Sequence, residues 1–371
     1  MSDVMLADDS AAAGGREAYH TIDSFLISVA DEFGPYQRRH YAIVGLSWVS
    51  VGMSTLLMVL TSKPPQWRLL GEPDEQTSTA PPPCDEAFEI VDEWTTASGE
   101  WQLVCDRVGL AALASTLYFV GFGLGAFLIG SLADRIGRRM SCKLAAAIST
   151  VTVLASAAAS SPELYAACRL AAGFGIGGLS TSSYVLATEV IGPSWQGVVG
   201  VGMSLIFSVG EFLLVPLSLL LPSWRALTVA TAVPCLLQYF AMNTVDESPR
   251  WLLANGHTDR AAAVLQAVAI GNGVNCPSAP LLSLASQLPT MSDAAEESEG
   301  NSTNAEASKK SVGALFSSNL LRGRTLGMLY CWFAASFAYY GLSLNSGNLG
   351  GTSAILPCLS PSASSISHPT S

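Results

Sequence analysis

Gly130-Ser131-Leu132-Ala133-Asp134-Arg135-Ile136-Gly137-Arg138-Arg139 separates two long apolar runs, Val108 to Leu132 and Cys142 to Ala158. Each residue type in it has a physical use. Gly130 permits close approach of two helices, and Gly137 allows a tight turn between them. Asp134 can sit near a helix amino terminus while Arg135, Arg138 and Arg139 meet carboxylates or backbone carbonyls on neighbouring helices. The plainer reading is a basic topology anchor at a membrane surface. That accounts for the arginines but not for two glycines and an aspartate at fixed offsets.

The rest of the chain explains why so short a turn stands between runs so apolar. The chain has 371 residues, 50% hydrophobic and 13% charged, against roughly 25% charged for a soluble domain. Apolar runs near the length that crosses a bilayer, about 20 residues at about 1.5 Å each, recur along it. They predict spans at Tyr41 to Leu60, Val108 to Leu132, Cys142 to Ala158, Leu164 to Ala187, Val198 to Leu221, Ala226 to Met242 and Leu326 to Leu344. Pro216, Pro234 and Ser336 interrupt three of them, as membrane helices tolerate when neighbours satisfy the freed carbonyls. The fold class is therefore an all-α, multi-pass membrane protein in contact with the lipid bilayer. Ahead of the first span, Ile22 to Ala30 carries apolar residues at helical spacing and predicts a short amphipathic helix.

The distribution of charge gives an orientation. Arg38, Arg39, Arg135, Arg138, Arg139, Lys143, Arg250, Arg260, Lys309, Lys310, Arg322 and Arg324 fall on the side of the amino terminus, and few bases fall on the other. By the positive-inside rule the amino terminus is cytoplasmic, and no apolar stretch ahead of residue 40 could serve as a cleaved signal. The expected organisation is a cytoplasmic segment at 1–40 and a six-helix bundle at 41–242 whose external loop is 61–107. A cytoplasmic linker at 243–323 follows, with a disordered acidic tract from Ser292 to Lys310; a seventh span occupies 324–345 and a polar tail 352–371. Cys84 and Cys105 share the external loop, where either a disulfide or two free thiols is compatible with the sequence. A formal net charge of −11 argues against nucleic acid as a partner, and no cysteine or histidine cluster suggests a metal. No cofactor is implied. A receptor reading fails because its amino terminus would be external, and the four histidines, all outside the spans, offer no catalytic pair.

Two further segments accompany the first motif. Arg169 with Gly173, Gly175, Gly177 and Gly178 occupies the fourth span, and Glu247-Ser248-Pro249-Arg250-Trp251-Leu252 follows the sixth. With the Gly130 to Arg139 turn they resemble the signature segments of the major facilitator superfamily. Glu32-Phe33-Gly34 to Arg39, Glu100-Trp101 to Arg107, Thr188-Glu189, and Tyr339-Tyr340-Gly341-Leu342 to Asn345 narrow the resemblance to the organic cation, carnitine and organic anion transporters. It covers roughly Glu32 to Gly351, apart from the acidic linker.

The resemblance implies two six-helix bundles that rock about a central substrate. Against that frame the chain reads as the amino-terminal bundle plus one helix, the second bundle missing. The implied substrate is a small organic ion and the implied site the plasma membrane; the alternative is a truncated, non-transporting form that associates with a full-length relative. The residues expected at the substrate are two ionisable groups inside spans, Arg169 and Glu211, and three aromatics, Tyr184, Trp332 and Tyr339. For Arg169 a bridge to backbone carbonyls stands equally open. For Glu211, protonation or a hydrogen bond to Ser208 or another helix stands open, and for the rings packing or lipid contact. Asp134, Arg138, Glu189, Glu247 and Arg250 are expected to form a charge network closing the inner gate.

Overall fold

The computed structural model describes residues 22–28, 31–63, 66–69, 88–91, 95–274 and 319–345. The elements in chain order are α1 (Ile22–Ser28), α2 (Pro35–Thr61), β1 (Trp67–Leu69), β2 (Phe88–Ile90), α3 (Ala97–Glu100), α4 (Val108–Ile136), α5 (Arg138–Ala157), α6 (Pro162–Thr188), α7 (Pro193–Leu220), α8 (Trp224–Ala241), α9 (Pro249–Ala254), α10 (Thr258–Gly271) and α11 (Asn319–Asn345). Six of them, α2 and α4 to α8, are long and apolar enough to cross a membrane. Helix α11, 27 residues long, covers the position of the expected seventh span but is not among those six. Each of the seven runs past its apolar stretch at one end or both, because polar turns such as Pro35 to His40 continue the helix outside the hydropathy window, while α5, α7 and α8 stop one residue short at their carboxyl ends. Pro216 and Pro234 sit inside unbroken α7 and α8.

Proline starts four helices at positions where its missing N–H costs nothing: Pro35, Pro162, Pro193 and Pro249. Serine side chains cap two of them. Ser161 accepts from the Leu164 N–H at 3.2 Å, and Ser248 accepts from Trp251 at 3.2 Å.

Helix α6 is the hub, packed against α4, α5 and α2; α2 also packs on α7 and α8, and α5 on α8. What lets α4 and α6 approach is a reciprocal glycine seam. A Cβ on Gly121 or Gly125 of α4 would land on the carbonyl of Leu170 or Phe174, and one on Gly173 or Gly177 of α6 on that of Tyr118 or Phe122. Both pairs have the four-residue spacing of small residues at membrane helix contacts. A second seam joins α2 to α7, where Gly52 faces the Phe207 carbonyl and Gly210 that of Val49. Helices α2 and α6 are consequently the most buried spans, while α4 and α7 leave broad apolar faces open.

The polar stretches at the two ends of the bundle carry structure of their own. At the end bearing the Gly130 to Arg139 turn, α1 is amphipathic as expected. Its Phe25 and Leu26 are fully buried against Leu252, Leu253 and Leu265 of α9 and α10, two helices that hydropathy alone reads only as polar linker. Asn272 just beyond α10 accepts the Tyr36 N–H at 2.9 Å and donates to Gln37 at 2.8 Å, tying α10 to the start of α2. At the opposite end β1 and β2 form a short antiparallel pair with Trp67 opposite Ile90. Beside it Glu100 binds Arg225 through both carboxylate oxygens, at 2.5 and 3.0 Å, and accepts the Trp224 indole N–H at 2.8 Å. Burial pushes the Glu100 carboxyl up, but the Arg225 and Trp224 hydrogen bonds and the Arg225 charge outweigh it and hold the group below its ordinary value. Arg225 also donates to the carbonyls of Ala157 and Ala159, closing the α5–α6 turn.

Cys105 is disulfide-bonded. Cys84, the acidic tract from Ser292 to Lys310 and the tail at 352–371 lie outside the described residues.

Candidate functional site: a charge network at one end and a polar layer inside the bundle

Two groups of the residues singled out in the sequence are brought together, one at the motif end and one within the spans. At the motif end α4 stops at Gly137, whose φ of 99° no side-chain-bearing residue adopts readily, and α5 begins at once. A Cβ there would also strike the Glu247 carboxylate. That carboxylate accepts the backbone N–H of Arg138 at 2.9 Å, Arg139 at 3.0 Å and Ser248 at 3.0 Å. Glu247 therefore caps the amino terminus of α5 from a distant part of the chain, the position anticipated for Asp134. Asp134 belongs instead to the last turn of α4, its side chain 72% exposed, and pairs with Arg138 at 2.9 Å. It failed to reach a helix start because α4 persists to Ile136.

Arg138 is the centre of the network. Beyond Asp134 it pairs with Glu189 at 3.2 Å and donates to the Ala133 carbonyl at 2.9 Å. Arg139 donates to the Met242 carbonyl at 2.8 Å. Arg250 donates to the Glu189 carbonyl at 3.0 Å and pairs with Asp23 of α1. Trp251 donates its indole N–H to the Asp134 carbonyl at 2.8 Å. Glu32 adds a second remote cap, accepting the Ser194 N–H at 3.0 Å at the start of α7. Gly130 lets α4 lie against α6, where an added Cβ would meet the Thr181 methyl at 3.3 Å. Arg135 is exposed and makes no hydrogen bond or ion pair among the described residues. Asp23, Glu32 and Trp251 carried no signal beyond their polar or motif context.

Inside the spans the two ionisable candidates have different surroundings. Arg169 is 1% exposed, stacks over the Tyr118 ring at 4.4 Å and donates to the Ser54 carbonyl at 3.3 Å. This is the carbonyl bridge that the sequence left open, although one guanidinium nitrogen, Nη1, has no hydrogen-bond partner among the described residues. Tyr118 in turn meets Thr55 across a 3.4 Å hydroxyl contact. Glu211 is 5% exposed and is in no ion pair among the described residues. Its carboxylate accepts the Tyr339 hydroxyl of α11, so of the open readings the structure shows a bond to another helix; Ser208 is turned to the Ser204 carbonyl. Tyr340 stands beside it, its ring 4.7 Å from Phe119 of α4.

The other two aromatics fall outside this layer. Tyr184, 40% exposed, lies near Trp48 of α2 at 6.2 Å between ring centroids and against Gly200 of α7, one region of the same helix faces nearer the motif end. Trp332 shares the Tyr339 face of α11, seven residues earlier, but is 68% exposed and touches no ring among the described residues. The arrangement can hold a cation. A buried carboxylate accepts the Tyr339 phenol, the Tyr340 and Phe119 rings pack in succession beyond that phenol, and no fixed cation pairs with the carboxylate among the described residues.

Comparison with known proteins places these features in context. Residues 88–344 match the family described as Sugar (and other) transporter. Organic cation/carnitine transporter 4 of Arabidopsis thaliana is 32% identical over 336 residues, covering 88% of this chain and 61% of its own length. A Solute carrier family 22 member 15-like protein of Xenopus tropicalis is 32% identical over 320 residues, covering 86% and 62%. The chain thus spans less than two thirds of either relative. Among solved structures, the major facilitator superfamily proton:xylose symporter XylE bound to 6-bromo-6-deoxy-D-glucose superposes with a TM-score of 0.60 at 18% identity, over 86% of this chain and 64% of that one. That likeness establishes the fold.

Proposed function

Because this chain belongs to the Sugar (and other) transporter family, one of transporters and not of enzymes, we propose that it serves the passage of small organic cations across a membrane by alternating access. The observation that carries the reading is the Glu211 carboxylate, buried inside α7 and reached by the Tyr339 phenol of α11. A carboxylate in such a place offsets the hydration an organic ammonium loses on entry, and ring faces add about 0.5 to 2 kcal/mol each. Tyr339, Tyr340 and Phe119 supply rings near it. Arg169 holds α2, α4 and α6 in register through Ser54 and Tyr118. The names of the relatives, organic cation and carnitine transporters among them, favour the same substrate class.

In this reading the motif end lies in the cytoplasm of a cell whose plasma membrane holds the chain. The network of Asp134, Arg138, Glu189, Glu247 and Arg250 closes the inner side. Rocking must break and remake such contacts, and partly exposed ion pairs of modest strength suit that use. An amino-terminal tag should then resist protease added outside intact cells.

Uptake of a fluorescent organic cation tests the function. Cells expressing the chain should accumulate it, and Glu211→Gln at equal surface expression should abolish the gain. Uptake that appears only when a full-length relative is co-expressed assigns the chain to the associating role. Binding and uptake indifferent to Glu211 would contradict the cation seat.

A further inference from the structure

We propose that the bundle binds a small monovalent anion of the halide class between α2 and α6, held by the Nη1 nitrogen of Arg169 and the hydroxyl of Ser54. The site uses neither Glu211 nor Tyr339, so it stands or falls apart from the cation seat.

Arg169 lies about two turns inside α6 and is 1% exposed. Its guanidinium is a planar fork of N–H donors. Nη2 donates to the Ser54 carbonyl at 3.3 Å and the guanidinium stacks over the Tyr118 ring at 4.4 Å, while Nη1 is buried with no hydrogen-bond partner among the described residues. Ser54 of α2 is fully buried, and its Oγ is without a partner in the same sense. Two unused donors therefore belong to residues already joined by one hydrogen bond.

The missing partner must also carry charge. A buried carboxyl sheds its charge by taking a proton, but a guanidinium cannot be neutralised by losing one. The seven long helices contain three carboxylates, at Asp134, Glu163 and Glu211. Asp134 pairs with Arg138, Glu163 is exposed in the first turn of α6, and Glu211 accepts the Tyr339 hydroxyl. None of them forms an ion pair with Arg169 among the described residues. One carbonyl and one ring face offset only part of a full positive charge. A water molecule on Nη1 would satisfy the donor and leave the charge, whereas an anion answers both needs. The charge to be balanced is single and the seat is enclosed, which favours an ion of one or a few atoms over an organic carboxylate.

The test is equilibrium binding of radiolabelled chloride to the purified full chain in sodium gluconate at constant ionic strength, with the thermal midpoint followed across the same titration. Saturable binding of about one chloride per chain is expected, with bromide competing and the midpoint rising to a plateau as the site fills. Arg169→Gln should abolish both the binding and the plateau. Should that variant fail to fold, Ser54→Ala removes only the unpartnered hydroxyl and keeps the carbonyl that Arg169 uses. It should match the wild type in stability without chloride and bind chloride about tenfold more weakly. If Arg169 is purely structural, no chloride is retained and the midpoint drifts with salt without reaching a plateau, and that result overturns the proposal. Chloride binding of equal strength in wild type and Ser54→Ala would overturn this seat as well.

Discussion

At the motif end Glu247 takes three backbone N–H groups, and Arg138 has two carboxylates and a carbonyl within reach; in the middle of the bundle Glu211 has the Tyr339 hydroxyl and no countercharge among the described residues. The first arrangement is redundant and partly exposed, so losing one contact leaves others to hold the turn. The second is sparse and dry, so each group decides what its surroundings can bind. The same chain thus gathers many charges at the motif end, which the proposed function makes a gate, and very few in the interior, which it makes the cation seat. Closing a gate requires reversibility, whereas recognising a charged solute in lipid requires an unmet electrostatic need.

The interior has the larger effects. Gly177→Val drives two methyl groups into the Phe122 backbone, where no flexible side chain can yield. The expected cost is about 3 kcal/mol or more, read as loss of monodisperse protein on size exclusion. Recovery of folded protein at wild-type yield would show that the α4–α6 seam is looser than drawn. Glu211→Gln, at the same depth, should lower organic-cation affinity by at least about tenfold, or about 1.4 kcal/mol, while leaving the thermal midpoint nearly unchanged because glutamine keeps the shape of the side chain and an oxygen that accepts the Tyr339 hydroxyl.

Effects at the ends should be smaller. Glu247→Gln loses the charged cap of α5 and is expected to cost about 1 to 2 kcal/mol, visible as a fall in the thermal midpoint. No fall would place the cap's contribution on the other contacts of the network. At the opposite end Glu100 supplies a pH signature. Its folded-state carboxyl sits below the ordinary 4.5, so its stabilisation is full above that value and is lost as pH falls through the lowered one. The gap in thermal midpoint between wild type and Glu100→Gln should therefore be open at neutral pH and close towards about pH 3. A gap that widens in acid has the wrong sign for this ion pair. The smallest effect belongs to Asp134→Asn, whose exposed pair with Arg138 is worth about 1 kcal/mol or less to stability.

Legibility follows the same division. The long apolar runs were enough to place all seven helices in the right part of the chain, because a span must satisfy its own backbone hydrogen bonds and so has a minimum length. Helices α9 and α10 were missed since they are short, amphipathic and flanked by charge, and they declare themselves only by burying Phe25 and Leu26 of α1. The members of the charge network at the motif end followed from motif spacing, but the positions taken by Asp134 and Glu247 did not. Which carboxylate reaches a helix start depends on where α4 ends, and hydropathy places that end several residues short. In the interior Glu211 and Arg169 stood out as charges in lipid. Their surroundings did not, because whether α11 turns Tyr339 or Trp332 towards α7 is a matter of helix rotation that residue type leaves undetermined. Gly121 and Gly125 have the spacing of a contact seam, yet only the matching pair in α6 shows that they form one.

Binding of tetraethylammonium to the purified chain, compared with its Glu211→Gln variant at one neutral pH, tests the central claim most directly. The account predicts saturable binding by the wild type that weakens at least about tenfold in the variant. Equal binding by both proteins would contradict it.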